Sequence, residues 1–240
     1  MTDERATRLH LVVFGGSGPT GLRVVRRALG AGHRVTAVTR RPDDFPLTAE
    51  GLRTAKADVA DADAVRVAVS GADAVVSTYG VPYTRRPVTV YSTGVAHILR
   101  AMTLEGVSRL VCVSSTTVAD GSAPGESLAW RRVVEPLLLR RVLGRTVYDD
   151  MERMEALLRE SDLDWTIVRP AGLYNADEPG PHDVGPPRLP GRFTSRADLA
   201  DVLVREATDA RHSRTTVDVV SRGERPSPLT FLREVTKIGT

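Results

Sequence analysis

At 240 residues, with 41% hydrophobic and 26% charged side chains, the chain fits one large α/β domain that buries its core without staples, and its length calls for no second domain. No apolar run approaches the roughly 18 residues of a bilayer span, and the polar first residues lack the apolar stretch of a secretion signal. The expectation is therefore a cytoplasmic protein with no membrane partner. The net charge of +3 comes from arginines scattered along the chain rather than gathered beside aromatics, which argues against nucleic acid. The single cysteine, Cys112 within an apolar run, excludes an internal disulfide and reads as a buried core thiol.

Short runs rich in Val, Leu and Ala alternate with longer stretches of helical period, the pattern of a parallel sheet covered by helices. Strands are predicted over residues 9–14, 34–39, 52–57, 74–78, 109–114, 164–169 and 216–220. Helices are predicted between them over 20–31, 62–70, 88–105, 151–160 and 196–208. Together these elements make one Rossmann-type, doubly wound parallel sheet flanked by helices, with strand order 3-2-1-4-5-6-7. The last helix carries its own start signal, Ser195 as N-cap with Asp198 three residues on.

Two segments break the alternation. Residues 119–148 read as an insertion whose second half is apolar on one side and lined with arginine on the other, with Pro136 placed to kink it. The readings are a helix packed on the body with a solvated arginine face, or else a substrate lid or membrane-touching element. Residues 171–192 are crowded with Pro and Gly and are predicted as a long structureless loop that covers the acceptor. Within it, Tyr174 is placed to stack on a planar acceptor. His182 has a near-neutral reference pKa and is either a substrate-side residue or a solvated loop histidine.

The most specific signal lies after the first strand. Gly15-Gly16-Ser17-Gly18-Pro19-Thr20-Gly21 runs directly into a helical stretch and satisfies G-x-G-x-x-G. The early glycines permit a tight turn and close backbone approach to a pyrophosphate, and Gly21 lets helix and strand pack closely. The helix N-terminus then presents free N–H groups to the phosphates. The second strand ends in Thr39-Arg40-Arg41-Pro42, without the carboxylate that would bind a ribose 2′-OH and repel a 2′-phosphate. Guanidinium groups at that place favour NADP(H). Asp58 and Val59 after the third strand, and Thr78, Tyr79 and Gly80 after the fourth, fit the same groove, Gly80 by allowing close backbone approach.

With these marks the chain resembles the atypical short-chain dehydrogenase/reductases, specifically the NAD(P)H-binding, NmrA-like branch that includes biliverdin reductase B, a flavin reductase. The resemblance also rests on Val113-Ser114-Ser115, on Asp149-Asp150-Met151-Glu152-Arg153-Met154-Glu155, and on Asp164-Trp165-Thr166-Ile167-Val168-Arg169-Pro170. It adds Ser114 and Pro170 to the cofactor-binding set. It also matches Ser115 to the family's active-site serine, and Met151 falls where that family has an active-site histidine. Methionine cannot shuttle a proton, so Met151 either shapes an apolar wall of the acceptor site or packs in the core.

Most short-chain dehydrogenases use Tyr-x-x-x-Lys, in which lysine lowers the tyrosine pKa. The sequence has two lysines, Lys56 and Lys237, and the residues four before them are Leu52 and Arg233, so neither completes the motif. Tyr148 is followed four residues on by Glu152, an anion that would raise its pKa. The resulting expectation is an NADPH-dependent reductase that passes hydride to a small conjugated acceptor, such as a flavin, quinone, tetrapyrrole or enone or ketone metabolite. Ser115 and Tyr148 are the catalytic candidates, and the resemblance to the flavin reductases implies a proton drawn largely from solvent. No metal is expected, and the chain is expected as a monomer or small homo-oligomer. The alternative is a non-catalytic, NADP(H)-sensing regulator of NmrA type.

Overall fold

The computed structural model describes residues 8–81, 86–118 and 145–223. In chain order its elements begin with β1 (His10–Phe14), α1 (Pro19–Gly30), β2 (Arg34–Thr39), β3 (Leu52–Lys56), α2 (Ala62–Val69) and β4 (Ala74–Ser77). Next come α3 (Val90–Glu105), β5 (Arg109–Val113), a 3₁₀ turn at Thr116–Val118, α4 (Arg145–Glu160) and β6 (Asp164–Pro170). The described chain closes with β7 (Gly172–Tyr174), β8 (His182–Gly185), β9 (Phe193–Ser195), α5 (Arg196–Asp209) and β10 (Thr215–Ser221).

Eight strands form one sheet in the order β3-β2-β1-β4-β5-β6-β10-β8. All neighbours are parallel except β8, which runs antiparallel to β10 and closes the edge. The expected order is recovered, with β10 as the seventh strand and β8 added outside it. The sheet is buried on both faces, which is why its inner strands are continuous apolar runs. In β1 the two-residue period divides the side chains. Val12 and Phe14 join the core under α2, α3 and α4, while Leu11 and Val13 join the core under α1 and α5.

Local chemistry sets the helix boundaries. Pro19 occupies the start of α1, where its missing N–H costs nothing. Asp61 caps α2, its carboxylate accepting from the Asp63 and Ala64 N–H groups at 3.1 and 3.0 Å. Ser195 caps α5 as expected, accepting from the Asp198 N–H at 2.9 Å. The Asp198 carboxylate does not turn back to its own cap, however. It accepts from the Gly180 N–H at 2.7 Å and from the Ser221 hydroxyl, whose oxygen in turn accepts from the Ser195 N–H at 2.8 Å.

Two expectations change. Helix α4 begins at Arg145, so Tyr148 lies inside it rather than at the end of an insertion. The remainder of that insertion, residues 119–144 with Pro136, falls outside the described residues. The segment 171–192 is not structureless, because it contains β7, which pairs with β9, and β8, which extends the main sheet. Backbone donors and acceptors in a chain lying on a sheet edge gain partners by pairing, and that outweighs the turn-rich composition.

Candidate functional site

The carboxyl ends of β1, β2 and β4 meet at the glycine turn. Gly15 takes φ +75°, and a Cβ placed on it would stand 2.6 Å from the Tyr79 nitrogen. A Cβ on Gly21 would stand 2.1 Å from the Gly15 carbonyl oxygen and 2.8 Å from the Thr78 hydroxyl. The turn is thus pressed between the first turn of α1 and the end of β4, and only glycine fits either contact. Thr78 secures it from below, its hydroxyl donating to the Phe14 carbonyl at 2.9 Å and its backbone N–H to the same oxygen at 2.9 Å.

The first turn of α1 carries no acidic residue, and its N-cap, Gly18, offers no side-chain hydrogen bond. Its donors and the positive end of its dipole are left for an anion. Ser17 is exposed at the tip, and its hydroxyl accepts from Thr39 Oγ1 at 3.2 Å. Thr39, buried at the end of β2, also accepts from the Arg41 N–H at 3.3 Å, so one hydroxyl joins the glycine turn to the arginine pair. Arg40 and Arg41 are exposed. The 3.9 Å pair of Arg41 with Asp44 is solvent-screened and holds it weakly. The donors of α1 could hold a pyrophosphate, with the exposed Arg40 and Arg41 at the end of the neighbouring strand.

The groove continues past β3 and β4. Asp58 is exposed, its carboxylate accepting from the Ala60 N–H at 2.9 Å, and Val59 is half-buried beside Gly94 of α3. The Tyr79 ring lies over Gly94, where a Cβ would come within 2.5 Å of its hydroxyl. That hydroxyl donates to the Tyr91 carbonyl at 3.3 Å, and loss of solvation pushes the phenol well above its ordinary value, so it stays a donor. Gly80 differs from the glycines of the turn, since a Cβ there would meet the Tyr91 hydroxyl at an ordinary 3.6 Å.

The acceptor-side candidates gather at the ends of β5 and β6. Ser115 is half-buried, its hydroxyl accepting from the Thr117 N–H at 3.2 Å. Tyr148 is buried in α4 and Glu152 is exposed one turn on, while Met151 packs against the core that holds Met154. Ser114 and Pro170 are both buried. The Ser114 hydroxyl does not face the groove; it donates to Glu155 Oε1 at 2.6 Å. Cys112 is buried beneath, its thiol pushed up to about 12 by burial, and is inert as a nucleophile.

Tyr174 and His182 lie in the segment after β6. Tyr174 sits in β7 opposite Ser195, half-buried. His182 sits in β8, its Nδ1 at 2.8 Å from the Gly180 carbonyl and 3.5 Å from Asp198 of α5, on the face of the sheet opposite α4. The segment between them is tied to α1 by Arg23, which donates to the Ala176 carbonyl at 3.4 Å.

Two acids escaped the sequence reading. Glu155 is buried in α4 and accepts from Ser114, from Arg159 at 2.5 Å, and from Arg169 at 2.8 and 2.5 Å. Burial alone would raise its pKa, but the hydrogen bonds and charge of Arg169, with Ser114 and Arg159, hold it below the usual carboxylate value. The available signal was a glutamate inside the apolar stripe of Met151, Met154 and Leu158. Asp150, also in α4, caps the start of α3 across the groove and had no comparable signal. Among the described residues no helix is long and apolar enough to cross a membrane, and no group of acidic, histidine or cysteine side chains could hold a metal ion.

A family described as NAD(P)H-binding matches residues 15–210. An uncharacterized protein of Mycobacterium tuberculosis is 28% identical over 96% of this chain, which spans 23% of that relative's length. An uncharacterized chloroplastic protein of Arabidopsis thaliana is 30% identical over 93% of this chain and 81% of its own. Among solved structures, a short-chain dehydrogenase/reductase from Veillonella parvula DSM 2008 in complex with NADP superposes with a TM-score of 0.74 at 18% identity, covering 91% of this chain and 99% of its own. ChuY, an anaerobillin reductase from Escherichia coli O157:H7, superposes with a TM-score of 0.71 at 23% identity, covering 91% of this chain and 100% of its own. At these identities the solved structures share the fold with this chain.

Proposed function

Because this chain belongs to the NAD(P)H-binding family, we propose that it is an NADPH-dependent reductase acting on a small conjugated acceptor, such as a flavin, quinone, tetrapyrrole or enone or ketone metabolite. The observation that carries the reading is the junction at Thr39. There an acid-free helix N-terminus, the exposed Ser17 and the Arg40-Arg41 pair converge, with no carboxylate at the end of β2. Gly15 to Gly21 and α1 would hold the pyrophosphate, Arg40 the 2′-phosphate, and Asp58, Val59 and Tyr79 the adenosine side. When bound, NADPH supplies the hydride.

The protein's own part is then to orient and to exclude water. Ser115, at the end of β5, orients the nicotinamide amide or the acceptor oxygen, and Met151 and Tyr148 wall the acceptor side. Tyr148 has Glu152 in place of the lysine that would make it a strong acid, and Lys56 lies exposed on β3, on the far side of β2. A conjugated acceptor delocalises the incoming charge and takes its proton from solvent, which removes the need for that lysine. The fold of the anaerobillin reductase supports tetrapyrroles as one class to test.

The test follows NADPH oxidation by absorbance against flavins, quinones, tetrapyrroles and ketones, after affinities for NADPH and NADH have been measured by fluorescence. Turnover of a planar conjugated acceptor, with NADPH bound more tightly than NADH, is expected. The missing lysine favours one second reading, an NADP(H)-responsive regulator. Tight NADPH binding with no turnover of any acceptor would select it.

A further inference from the structure

Helix α3 has no capping side chain of its own, since Thr89 at its N-cap makes no side-chain hydrogen bond to the first turn. The donors of that turn are satisfied from another helix. Asp150 of α4, 0% exposed, accepts from the Tyr91 N–H at 2.8 Å, the Ser92 N–H at 3.3 Å and the Ser92 hydroxyl at 2.5 Å. Arg153 adds a contact to the same carboxylate at 3.3 Å and donates to the Val88 carbonyl at 3.2 Å. A carboxylate is favoured there by the orphan amides and by the helix dipole.

The same turn of α3 grips the cofactor side. The Tyr91 hydroxyl accepts from the Val81 N–H at 3.1 Å, and the Tyr91 carbonyl accepts from the Tyr79 hydroxyl at 3.3 Å. Tyr79 in turn lies against Gly15, as described above. A continuous set of contacts thus runs from Asp150 through Tyr91 and Tyr79 to the phosphate turn. Asp150 also stands two residues after Tyr148 and directly before Met151.

We infer that Asp150 is a positioning residue for the cofactor: by capping α3 from α4 it holds Tyr79 against the glycine turn and ties the acceptor-side helix to the cofactor-side strand end. The inference rests on the cofactor reading proposed above. Without the cap the first turn of α3 frays, Tyr79 spends less time in the binding arrangement, and apparent affinity falls by the fraction that remains competent. Coupling of this kind is reciprocal, so bound cofactor also tightens α4.

The test measures NADPH affinity by fluorescence, with circular dichroism to establish folding, for wild type, Asp150→Ala, Asp150→Asn, Tyr79→Phe and the double variant Asp150→Ala/Tyr79→Phe. Asp150→Ala is expected to weaken NADPH about fivefold to tenfold. Asp150→Asn, which keeps an oxygen for the Tyr91 amide, should recover most of that loss. The double variant should bind no more weakly than Asp150→Ala alone, because both changes act on one route. A lowered Tm with unchanged affinity, or losses that multiply in the double variant, would overturn the inference. If Asp150→Ala does not fold, Ser92→Ala decides, since it removes the hydroxyl that donates to the Asp150 carboxylate and leaves Tyr91 and Tyr79 in place. Weaker binding then supports the inference and unchanged binding overturns it. A wild type that does not bind NADPH removes the functional reading and the inference with it, whereas wild-type binding with unaffected variants removes the inference alone.

Discussion

Arg169 meets Glu155 through two hydrogen bonds, at 2.8 and 2.5 Å, linking the end of β6 to the middle of α4 within the core. Ser114 adds a third at 2.6 Å, so the ends of β5 and β6 are fixed to one buried carboxylate directly beneath the residues that face the groove. A buried pair of this kind specifies geometry, and breaking it from one side leaves an uncompensated charge.

Glu155→Gln is therefore expected to lower the free energy of unfolding by about 3 kcal/mol, read from the urea midpoint, because Arg169 is left buried without its counter-charge. The pH dependence has a definite sign. Glu155 is held below the usual carboxylate value, so its contribution is fully present above that value and is lost as pH falls through the lowered pKa. Wild type should lose stability across that acid range more steeply than Glu155→Gln. Parallel acid profiles would show that the carboxylate does not carry the effect.

Arg40→Ala tests the choice of cofactor. A charge-assisted contact to a phosphate contributes about 1.5 to 3 kcal/mol, so the variant should bind NADPH about tenfold more weakly or worse and NADH nearly as before. Titrations with both cofactors check it, and equal losses would remove Arg40 from the 2′-phosphate site.

The glycines of the groove should divide sharply. Gly21→Ala would place a methyl group 2.1 Å from the Gly15 carbonyl, whereas Gly80→Ala would meet only the end of Tyr91 at 3.6 Å. Gly21→Ala is expected to abolish measurable NADPH binding, and Gly80→Ala to change affinity by less than about threefold. Similar effects for the two would mean that the turn relaxes more freely than its contacts allow.

The source of the proton is tested by Tyr148→Phe beside Ser115→Ala with the best acceptor found. Removing a general acid costs roughly a hundredfold or more in kcat, and Tyr148→Phe should fall well short of that. Ser115→Ala should cost about 1 kcal/mol, the scale of one neutral hydrogen bond. A collapse of kcat in Tyr148→Phe, with disappearance of a basic limb from the pH profile, would instead indicate carbonyl reduction through the phenol.

The sequence by itself determined the parts of this protein that depend on short-range pattern. Strand periodicity, the glycine spacing from Gly15 to Gly21, the arginines after Thr39 and the cap at Ser195 are local, and each appears in the structure where the pattern places it. The strand order followed as well, because alternating strand and helix with right-handed crossovers leaves few ways to arrange a parallel sheet. Only the tertiary structure decided which polar groups from distant segments meet. Glu155 finds Arg169 14 residues away, and Asp150 caps a helix 59 residues earlier in the chain. It also decided that the Pro- and Gly-rich segment after Pro170 forms β7 and β8, and that His182 faces Asp198 rather than Tyr148. The reason is physical: a buried charge or an unpaired strand edge is tolerable only where the fold supplies a partner, and partners brought together from distant segments leave no local signature.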